Sequence, residues 1–312
     1  MSISTIAVER RTSIAARLLD YLELTKPKIA LLELVTVAVA ALLAGGGTAA
    51  EPWAIVHVLI GTALVAASAS ALNQWLERQR DACMSRTANR PLPAGRLSSY
   101  EALGFALASV TLGASYLAVW VNGTTALLGL IAWGLYVGVY TPLKYRTSAN
   151  TFVGAVAGAL PVLMGWTAVD GDWTGRSGVI AATLFLIVFL WQFPHFMAIA
   201  WIYRREYQQA GARMLTVVDP LGRRAGSQAV LGALVLVPVS LLPAVTGWTL
   251  YWTAPLYFVV ALTLGVAQFA SALRFMVERN DKSARQLLHA SLVYLPALLG
   301  MLLAAALIFP RS

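Results

Sequence analysis

The chain has 312 residues, of which 59% are hydrophobic and only 12% are charged, whereas soluble domains have about 25% charged residues. This composition excludes a soluble globular protein and a disordered chain, because too few polar side chains are available to face water. The single cysteine, Cys83, excludes an intrachain disulfide and a cysteine-built zinc or iron–sulfur site. We therefore expect an all-α, polytopic membrane protein.

Nine apolar segments are long enough to cross a bilayer, for which a helix needs roughly 20 residues. We predict one nine-helix domain over residues 28–308, preceded by a cytoplasmic N-terminal segment over residues 1–27. In chain order the predicted spans cover about residues 28–46, 53–75, 99–119, 124–142, 150–168, 179–203, 228–248, 251–275 and 287–308.

The basic residues are distributed unevenly between the two sides of the predicted bundle. With nine spans, 21 of the 23 Lys and Arg residues fall on one side, and only Arg176 and Arg311 fall on the other. Cytoplasmic connections of membrane proteins are enriched in Lys and Arg, so the N-terminus is predicted to be cytoplasmic and the C-terminus outside. An eight-span arrangement would break this segregation, which favours the odd number.

The inner end of the second span carries three oxygen-bearing side chains, Asn73, Glu77 and Asp81, at a spacing of four residues. If the helix continues this far, all three lie on one face. Carboxylates are disfavoured at the C-terminal end of a helix, so a cation should compensate for them. The cation is either a neighbouring arginine (Arg78, Arg80 or Arg86) or a bound Mg²⁺ shared with a substrate phosphate. The spacing alone leaves both interpretations open.

The sixth span contains His195, directly after Pro194, and Glu206 follows at the inner end of this span. An ionisable residue inside the membrane is a functional candidate, although a neutral, hydrogen-bonded structural histidine is the alternative. Glu206 is either a further metal ligand or an exposed acid between arginines.

The connection after the fourth span carries Lys144 and Arg146, which either bind phosphate or anchor the chain at the inner membrane surface. Acids that suit Mg²⁺ and cations that suit phosphate thus converge on one membrane face, and the interior behind them is apolar and aromatic. This combination favours a substrate with a diphosphate head and a hydrocarbon tail. An allylic carbocation formed from it needs a water-poor pocket and aromatic faces.

Several motifs occur in an order that is typical of one family. The sequence resembles the signature of the UbiA-type intramembrane prenyltransferases, and more narrowly the branch that farnesylates haem. The first motif is Asn73-x3-Glu77-x3-Asp81, followed by Met84-x-Arg86-Thr87-x2-Arg90-Pro91-Leu92-x2-Gly95. The others are Thr25-Lys26-Pro27-Lys28, Tyr140-Thr-Pro-Leu-Lys144-x-Arg146-Thr147, Trp191-Gln-x-Pro194-His195-Phe196 and Glu206-Tyr207-x2-Ala210-Gly211-x2-Met214-Leu215.

The resemblance implies nine transmembrane helices around a central cavity and transfer of the farnesyl group of farnesyl diphosphate to a vinyl group of haem b. The product would be haem O for terminal oxidases, with Mg²⁺ as the cofactor and haem b as a substrate. By the resemblance, the catalytic and metal-binding residues are Asn73, Glu77 and Asp81, with Glu206 as a further ligand. The substrate-binding candidates are Lys144, Arg146, Arg86, Arg90, Tyr140 and, for haem, His195.

The sequence departs from the family pattern at two places. Position 77 is Glu where many members have Asp, and the loop around Glu206 offers one acid where two are common. By the resemblance, this loop therefore lacks the pair of acids that would hold a second metal ion by itself.

The expected partners are membrane lipid and a haem A synthase or a terminal oxidase that receives the product, with no nucleic acid, and the expected compartment is a bacterial plasma membrane. The rival functions are prenylation of an aromatic acid or quinone precursor, and secondary transport. The sequence shows no paired repeats typical of transporters.

Overall fold

The computed structural model describes residues 13–45, 52–169, 174–246 and 254–308, and these residues form helices and connections without any β-strand. In chain order the helices are α1 Ile14–Leu24, α2 Pro27–Ala44, α3 Pro52–Asp81, α4 Ser99–Trp120, α5 Gly123–Gly134, a π-helix Leu135–Tyr140, α6 Thr141–Leu143, α7 Asn150–Ala168, α8 Gly175–Ile202, α9 Arg204–Gln209, α10 Leu215–Val218, α11 Arg223–Val245, α12 Ala254–Glu278 and α13 Asp281–Ile308.

Nine helical segments within the described ranges are long and apolar enough to cross a membrane, which confirms the predicted all-α, polytopic architecture. They are α2, α3, α4, α5 with its continuation to Leu143, α7, α8, α11, α12 and α13. Several helices extend beyond their predicted spans: α3 continues to Asp81, while α11 and α13 begin at Arg223 and Asp281. The predicted span boundaries at residues 46, 248 and 251 lie outside the described residues.

The described part of the predicted N-terminal segment contains the helix α1, which begins at Ile14. The side chain of Ser13 caps α1 by accepting a hydrogen bond from the backbone N–H of Ala16 at 3.2 Å. Ile14, Leu18 and Leu22 repeat every four residues on its exposed side, whereas ion pairs from Arg17 to Glu101 and from Arg96 to Asp20 and Glu23 fix its polar side. The structure therefore places an amphipathic helix immediately before the first span.

The spans form a closed bundle in which α2 contacts both α3 and α13, and α7 and α8 link the two sides. We call the end of the bundle formed by connections 82–98, 144–149, 203–222 and 279–280 the basic end. The main apolar core lies in the opposite half, among 39–43 of α2, 159–166 of α7, 180–191 of α8 and 294–302 of α13. The buried polar side chains therefore concentrate in the half of the bundle next to the basic end.

Candidate functional site

The long third helix brings the three predicted α3 residues to one face, inside the protein. Asn73, Glu77 and Asp81 are 3%, 2% and 0% exposed, because α3 continues for two turns after its apolar part ends. Burying two carboxylates at the C-terminal end of a helix is costly unless cations or donors face them. The prediction that this helix places all three on one face is confirmed.

Asn73 connects α3 to the start of α2 and to α6. Its Oδ1 atom accepts a hydrogen bond from Lys26 Nζ at 2.6 Å, and its Nδ2 atom donates to Thr141 Oγ1 at 3.1 Å. Lys26 has a left-handed backbone (φ 53°), which is uncommon for a residue with a side chain, and it lies at the N-terminus of α2. Burial, together with the nearby Arg90, lowers the pKa of Lys26 to about 7. The charged form of Lys26 is therefore costly at this position, and the amide oxygen of Asn73 is the acceptor that faces it.

Glu77 is bound from the connection that follows α6. Lys144 Nζ lies 3.0 and 3.2 Å from the two carboxylate oxygens of Glu77, and the Tyr145 hydroxyl donates to Oε1 at 2.9 Å. Burial opposes the charge on Lys144, but the Glu77 carboxylate and three neighbouring tyrosines outweigh burial and raise the pKa of Lys144. Lys144 therefore remains a cation in the buried site.

Asp81 is only half satisfied by its protein neighbours. Its Oδ2 atom accepts from Arg90 at 2.6 Å, whereas its fully buried Oδ1 atom has no hydrogen-bond partner among the described residues. An unsatisfied buried carboxylate oxygen is costly and needs an explanation such as an ion. Asp81, together with the oxygens of Asn73 and Glu77, supplies the hard donor set that Mg²⁺ prefers, so the residues present fit this ion.

The alternative interpretation, in which neighbouring arginines neutralise the two acids, is wrong for the arginines named. Arg78 donates to the carbonyl of Trp75, Arg80 lies over the ring of Tyr145, and Arg86 lies over the ring of Tyr203. The cations that pair with the acids are instead Lys144 and Arg90. By the family resemblance both are candidates for contacts with diphosphate, so the structure joins the predicted metal-binding and diphosphate-binding groups.

A π-helix places the fourth-span residues of the site. Pro142 has no N–H to donate back to the preceding turn, and π-type hydrogen bonding replaces the α-pattern over Leu135–Tyr140. Thr141 Oγ1 donates to the carbonyl of Tyr136 at 2.8 Å and accepts from Asn73. The ring of Tyr140 stacks on that of Tyr136, with centroids 5.3 Å apart. The widened turn thus directs Thr141 at α3.

The remaining predicted site residues lie on the outer rim of the basic end. Glu206 accepts a hydrogen bond from the backbone N–H of Arg86 at 3.3 Å, while Arg146 is exposed and its carbonyl accepts from Arg213. Across the described parts of the chain, no three His, Cys, Asp or Glu side chains are grouped for a metal ion. Glu206 as a metal ligand, and Arg86 and Arg146 as diphosphate contacts, therefore stay predictions.

His195 lies apart from the carboxylates, on α8. Its Nδ1 atom is 2.9 Å from Ser291 Oγ of α13, and its ring stacks on Trp191 with centroids 4.6 Å apart. Pro194 interrupts the hydrogen-bond pattern of α8 directly before this ring. The ring is partly exposed although its neighbours Trp191 and Ser291 are buried.

Four residues of the site were not predicted as functional: Lys26, Thr141, Tyr145 and Ser291. The first three stand within motifs that the sequence shows clearly, so the motifs could have indicated them. Ser291 lies in an apolar span almost a hundred residues after His195, and no local pattern marks it.

Comparison with known proteins identifies the family. The family model described as the UbiA prenyltransferase family matches residues 34–298. A protoheme IX farnesyltransferase of Solibacter usitatus is 42% identical over 294 residues, covering 91% of this chain and 97% of the relative. The protein of the same name from Rhodopirellula baltica is 44% identical, covering 92% of this chain and 100% of the relative.

Solved structures of low sequence identity share the fold. A digeranylgeranylglyceryl phosphate synthase superposes with a TM-score of 0.77 at 16% identity, covering 94% of this chain and 100% of that chain. A UbiA homolog from Archaeoglobus fulgidus, bound to DMAPP and Mg²⁺, superposes with a TM-score of 0.68 at 18% identity, covering 93% and 100%. The chain therefore belongs to the UbiA prenyltransferase family and, within it, groups with the protoheme IX farnesyltransferases.

Proposed function

We propose that the protein transfers the farnesyl group of farnesyl diphosphate to a vinyl group of haem b, giving haem O. The observation that carries this proposal is the set of buried oxygen-bearing side chains on α3, which face the amine of Lys26 and the cations Lys144 and Arg90 at the basic end. Such a site suits a diphosphate with Mg²⁺, while the names of relatives about 40% identical over nearly the whole chain support the farnesyl donor and the haem acceptor.

Asn73, Glu77 and Asp81 would hold Mg²⁺, and Glu206 is the candidate for a further ligand from the opposite connection. The unpartnered Oδ1 atom of Asp81 supports this assignment. The ion, when bound, supplies positive charge that stabilises the diphosphate as it leaves.

The protein's own cations share that task. Lys144 and Arg90, with Arg86 and Arg146 from the rim, would neutralise the negative charge that grows on the leaving diphosphate. The C–O bond of farnesyl diphosphate breaks, the vinyl group of haem forms a bond to the allylic carbon, and water adds to the resulting cation with loss of a proton. Tyr140 and Tyr136 offer aromatic faces near the allylic cation.

His195 is the candidate haem contact, since it is an ionisable side chain within the apolar part of the bundle.

Residues 28–308 form the prenyltransferase domain in this proposal. The protein lies in a bacterial plasma membrane with its N-terminus cytoplasmic and its C-terminus outside, since 21 of 23 basic residues then face the cytoplasm. Its product passes to a haem A synthase or a terminal oxidase.

The direct test is to incubate the purified protein with haem b, farnesyl diphosphate and Mg²⁺ and to analyse the pigments by mass spectrometry. We expect a haem whose mass is increased by one farnesyl group and one hydroxyl group, and we expect EDTA to abolish its formation. Asp81→Asn in the same assay should lower the rate by at least about 100-fold, because the site loses a carboxylate charge that would hold Mg²⁺ against the leaving diphosphate. Glu23→Gln, which changes an exposed acid on the polar side of α1, is the matched control.

An assay with 4-hydroxybenzoate in place of haem b distinguishes the sibling reaction. Unmodified haem, together with a prenylated aromatic acid, would overturn the haem acceptor. Full activity of Asp81→Asn would remove this residue from the metal site.

A further inference from the structure

We propose that Ser291 is a positioning residue that fixes the tautomer and orientation of His195, so that His195 Nε2 binds the iron of haem b. This inference rests on the proposed function, because it takes haem b as the substrate. To the proposed function it adds the identity of the atom that binds the iron, His195 Nε2, and of the α13 residue that orients the imidazole, Ser291.

The hydrogen positions follow from two short contacts of one hydroxyl group. Ser291 Oγ lies 2.6 Å from the carbonyl oxygen of Leu288 and 2.9 Å from Nδ1 of His195. Two oxygens this close need a hydrogen between them, and only the serine hydroxyl can supply it. Ser291 Oγ must then accept from His195, which places the imidazole hydrogen on Nδ1. The lone pair of the neutral ring is therefore on Nε2.

Trp191 restrains the same ring from a second direction. Its indole stacks on the imidazole at an interplanar angle of 22°, and its Nε1–H donates to the backbone carbonyl of Ser291 at 2.7 Å. One residue of α13 thus binds both the stacking partner and the imidazole through separate atoms. Rotation about the last side-chain bond of His195 would break the Nδ1 contact and the stacking together.

Nε2 of His195 is left available for a ligand. No hydrogen bond to this atom, and no acid within ion-pair distance of the ring, occurs among the described residues, and the ring remains partly exposed. His195 lies seven residues before the end of α8, about 10 Å inward from the basic end at 1.5 Å per residue. A neutral imidazole nitrogen at this depth, backed by a hydrogen bond at Nδ1, has the properties of an axial haem ligand.

Iron ligation would serve the reaction by positioning. The vinyl carbon must meet the allylic carbon of farnesyl diphosphate within a fixed geometry, and a misplaced acceptor lowers the rate steeply. Ligation at one atom, with the ring rotation fixed by Ser291 and Trp191, restricts where the porphyrin can lie.

The experiment measures the iron–imidazole bond itself. Ferrous haem b is bound to the purified wild-type protein and to Ser291→Ala and Ser291→Thr, and the Fe–His stretching band is recorded by resonance Raman spectroscopy. We expect the band in the wild-type protein and a shift to lower frequency in Ser291→Ala, because the Nδ1–H donor loses its acceptor. Ser291→Thr should restore the wild-type frequency. The KM for haem should rise about 10-fold or more in Ser291→Ala, with the KM for farnesyl diphosphate unchanged.

Ser271→Ala is the matched control, because the hydroxyl of Ser271 donates an exposed hydrogen bond to the carbonyl of Ala267 in its own helix. In His195→Gly the band should vanish and return when free imidazole is added, which tests the ligand even if Ser291→Ala does not fold. An unchanged band and an unchanged KM for haem in a folded Ser291→Ala would overturn the role of Ser291. Farnesylation of haem without any Fe–His band would overturn the ligation alone, whereas absence of haem-dependent turnover in the wild-type protein would overturn the proposed function.

Discussion

Lys144 and Glu77 form an ion pair in which both side chains are almost completely buried, at 10% and 3% exposure. Transferring two charges from water into the protein is costly, and their attraction offsets this cost only while both are present. Removal of one partner alone therefore leaves an uncompensated buried charge, which destabilises the fold. The pair also places a carboxylate and an ammonium where Mg²⁺ and diphosphate are proposed to bind. Stability and activity should respond differently to removing one or both charges.

Lys144→Met should destabilise the protein more than the double variant Glu77→Gln/Lys144→Met. The single variant leaves a buried carboxylate without its cation, at a cost of about 3–5 kcal/mol, and the double variant removes both charges. We expect both variants to be inactive in the farnesyl-transfer assay. Unfolding in detergent, followed by tryptophan fluorescence, measures the difference.

The exposed ion pair of Arg274 with Glu278 provides the comparison, and Arg274→Met should leave the unfolding transition unchanged. A double variant as unstable as Lys144→Met would contradict the ion-pair argument. A double variant that retained activity would remove Glu77 from the metal site.

The helices α2 and α7 approach closely at Gly165, where a Cβ atom would lie 2.2 Å from the backbone carbonyl oxygen of Val37. A backbone atom cannot move aside as a side chain can, so any larger residue at this position separates the two helices. Because α2 begins next to Lys26, which binds Asn73, we expect a change in the spacing of α2 and α7 to reach the site as well.

Gly165→Ala should therefore lower both stability and activity. Overpacking of this kind costs about 1–3 kcal/mol, which we expect to appear as a lower melting temperature in detergent together with a reduced rate of farnesyl transfer. Gly104→Ala in α4 is the control, because nothing lies within 4 Å of the position that an added methyl group would take, and alanine favours helix. A Gly165→Ala protein as stable as Gly104→Ala would show that the two helices can separate without cost.

The spans could be predicted from sequence because lipid requires a continuous apolar length, and hydropathy measures this length directly. The same measure fails at α3, where most residues after 75 are polar and where Glu77 and Asp81 are buried by protein instead of lipid. It also gives no indication of the π-helix, which ends directly before Thr141, the residue that accepts a hydrogen bond from Asn73.

The site was predictable in part for a similar reason. The spacing of Asn73, Glu77 and Asp81 is local, and a helix converts it into one face. The partners of these residues are not local: Lys144 is 67 residues from Glu77, and Ser291 is 96 residues from His195. Such pairings depend on how the spans pack, which the order of motifs along the chain does not specify.

At the scale of the whole molecule, the distribution of charge is the feature that orients the protein in the membrane. Within the described residues the arginines and lysines of the connections lie at the basic end, and the connection between α4 and α5 at the opposite end has none. Positively charged connections are retained in the cytoplasm, so the basic end should face the cytoplasm. Farnesyl diphosphate would then enter from the cytoplasmic side.

The single cysteine allows this orientation to be measured in the natural sequence. Cys83 is exposed in the connection after α3, at the basic end. A membrane-impermeant maleimide should label Cys83 in inside-out vesicles and leave it unlabelled in intact spheroplasts. In the variant Cys83→Ser/Thr124→Cys, whose new cysteine replaces an exposed residue at the opposite end, the labelling pattern should be reversed. Labelling of Cys83 in intact spheroplasts would contradict the predicted orientation. The diphosphate site would then face away from the cytoplasm.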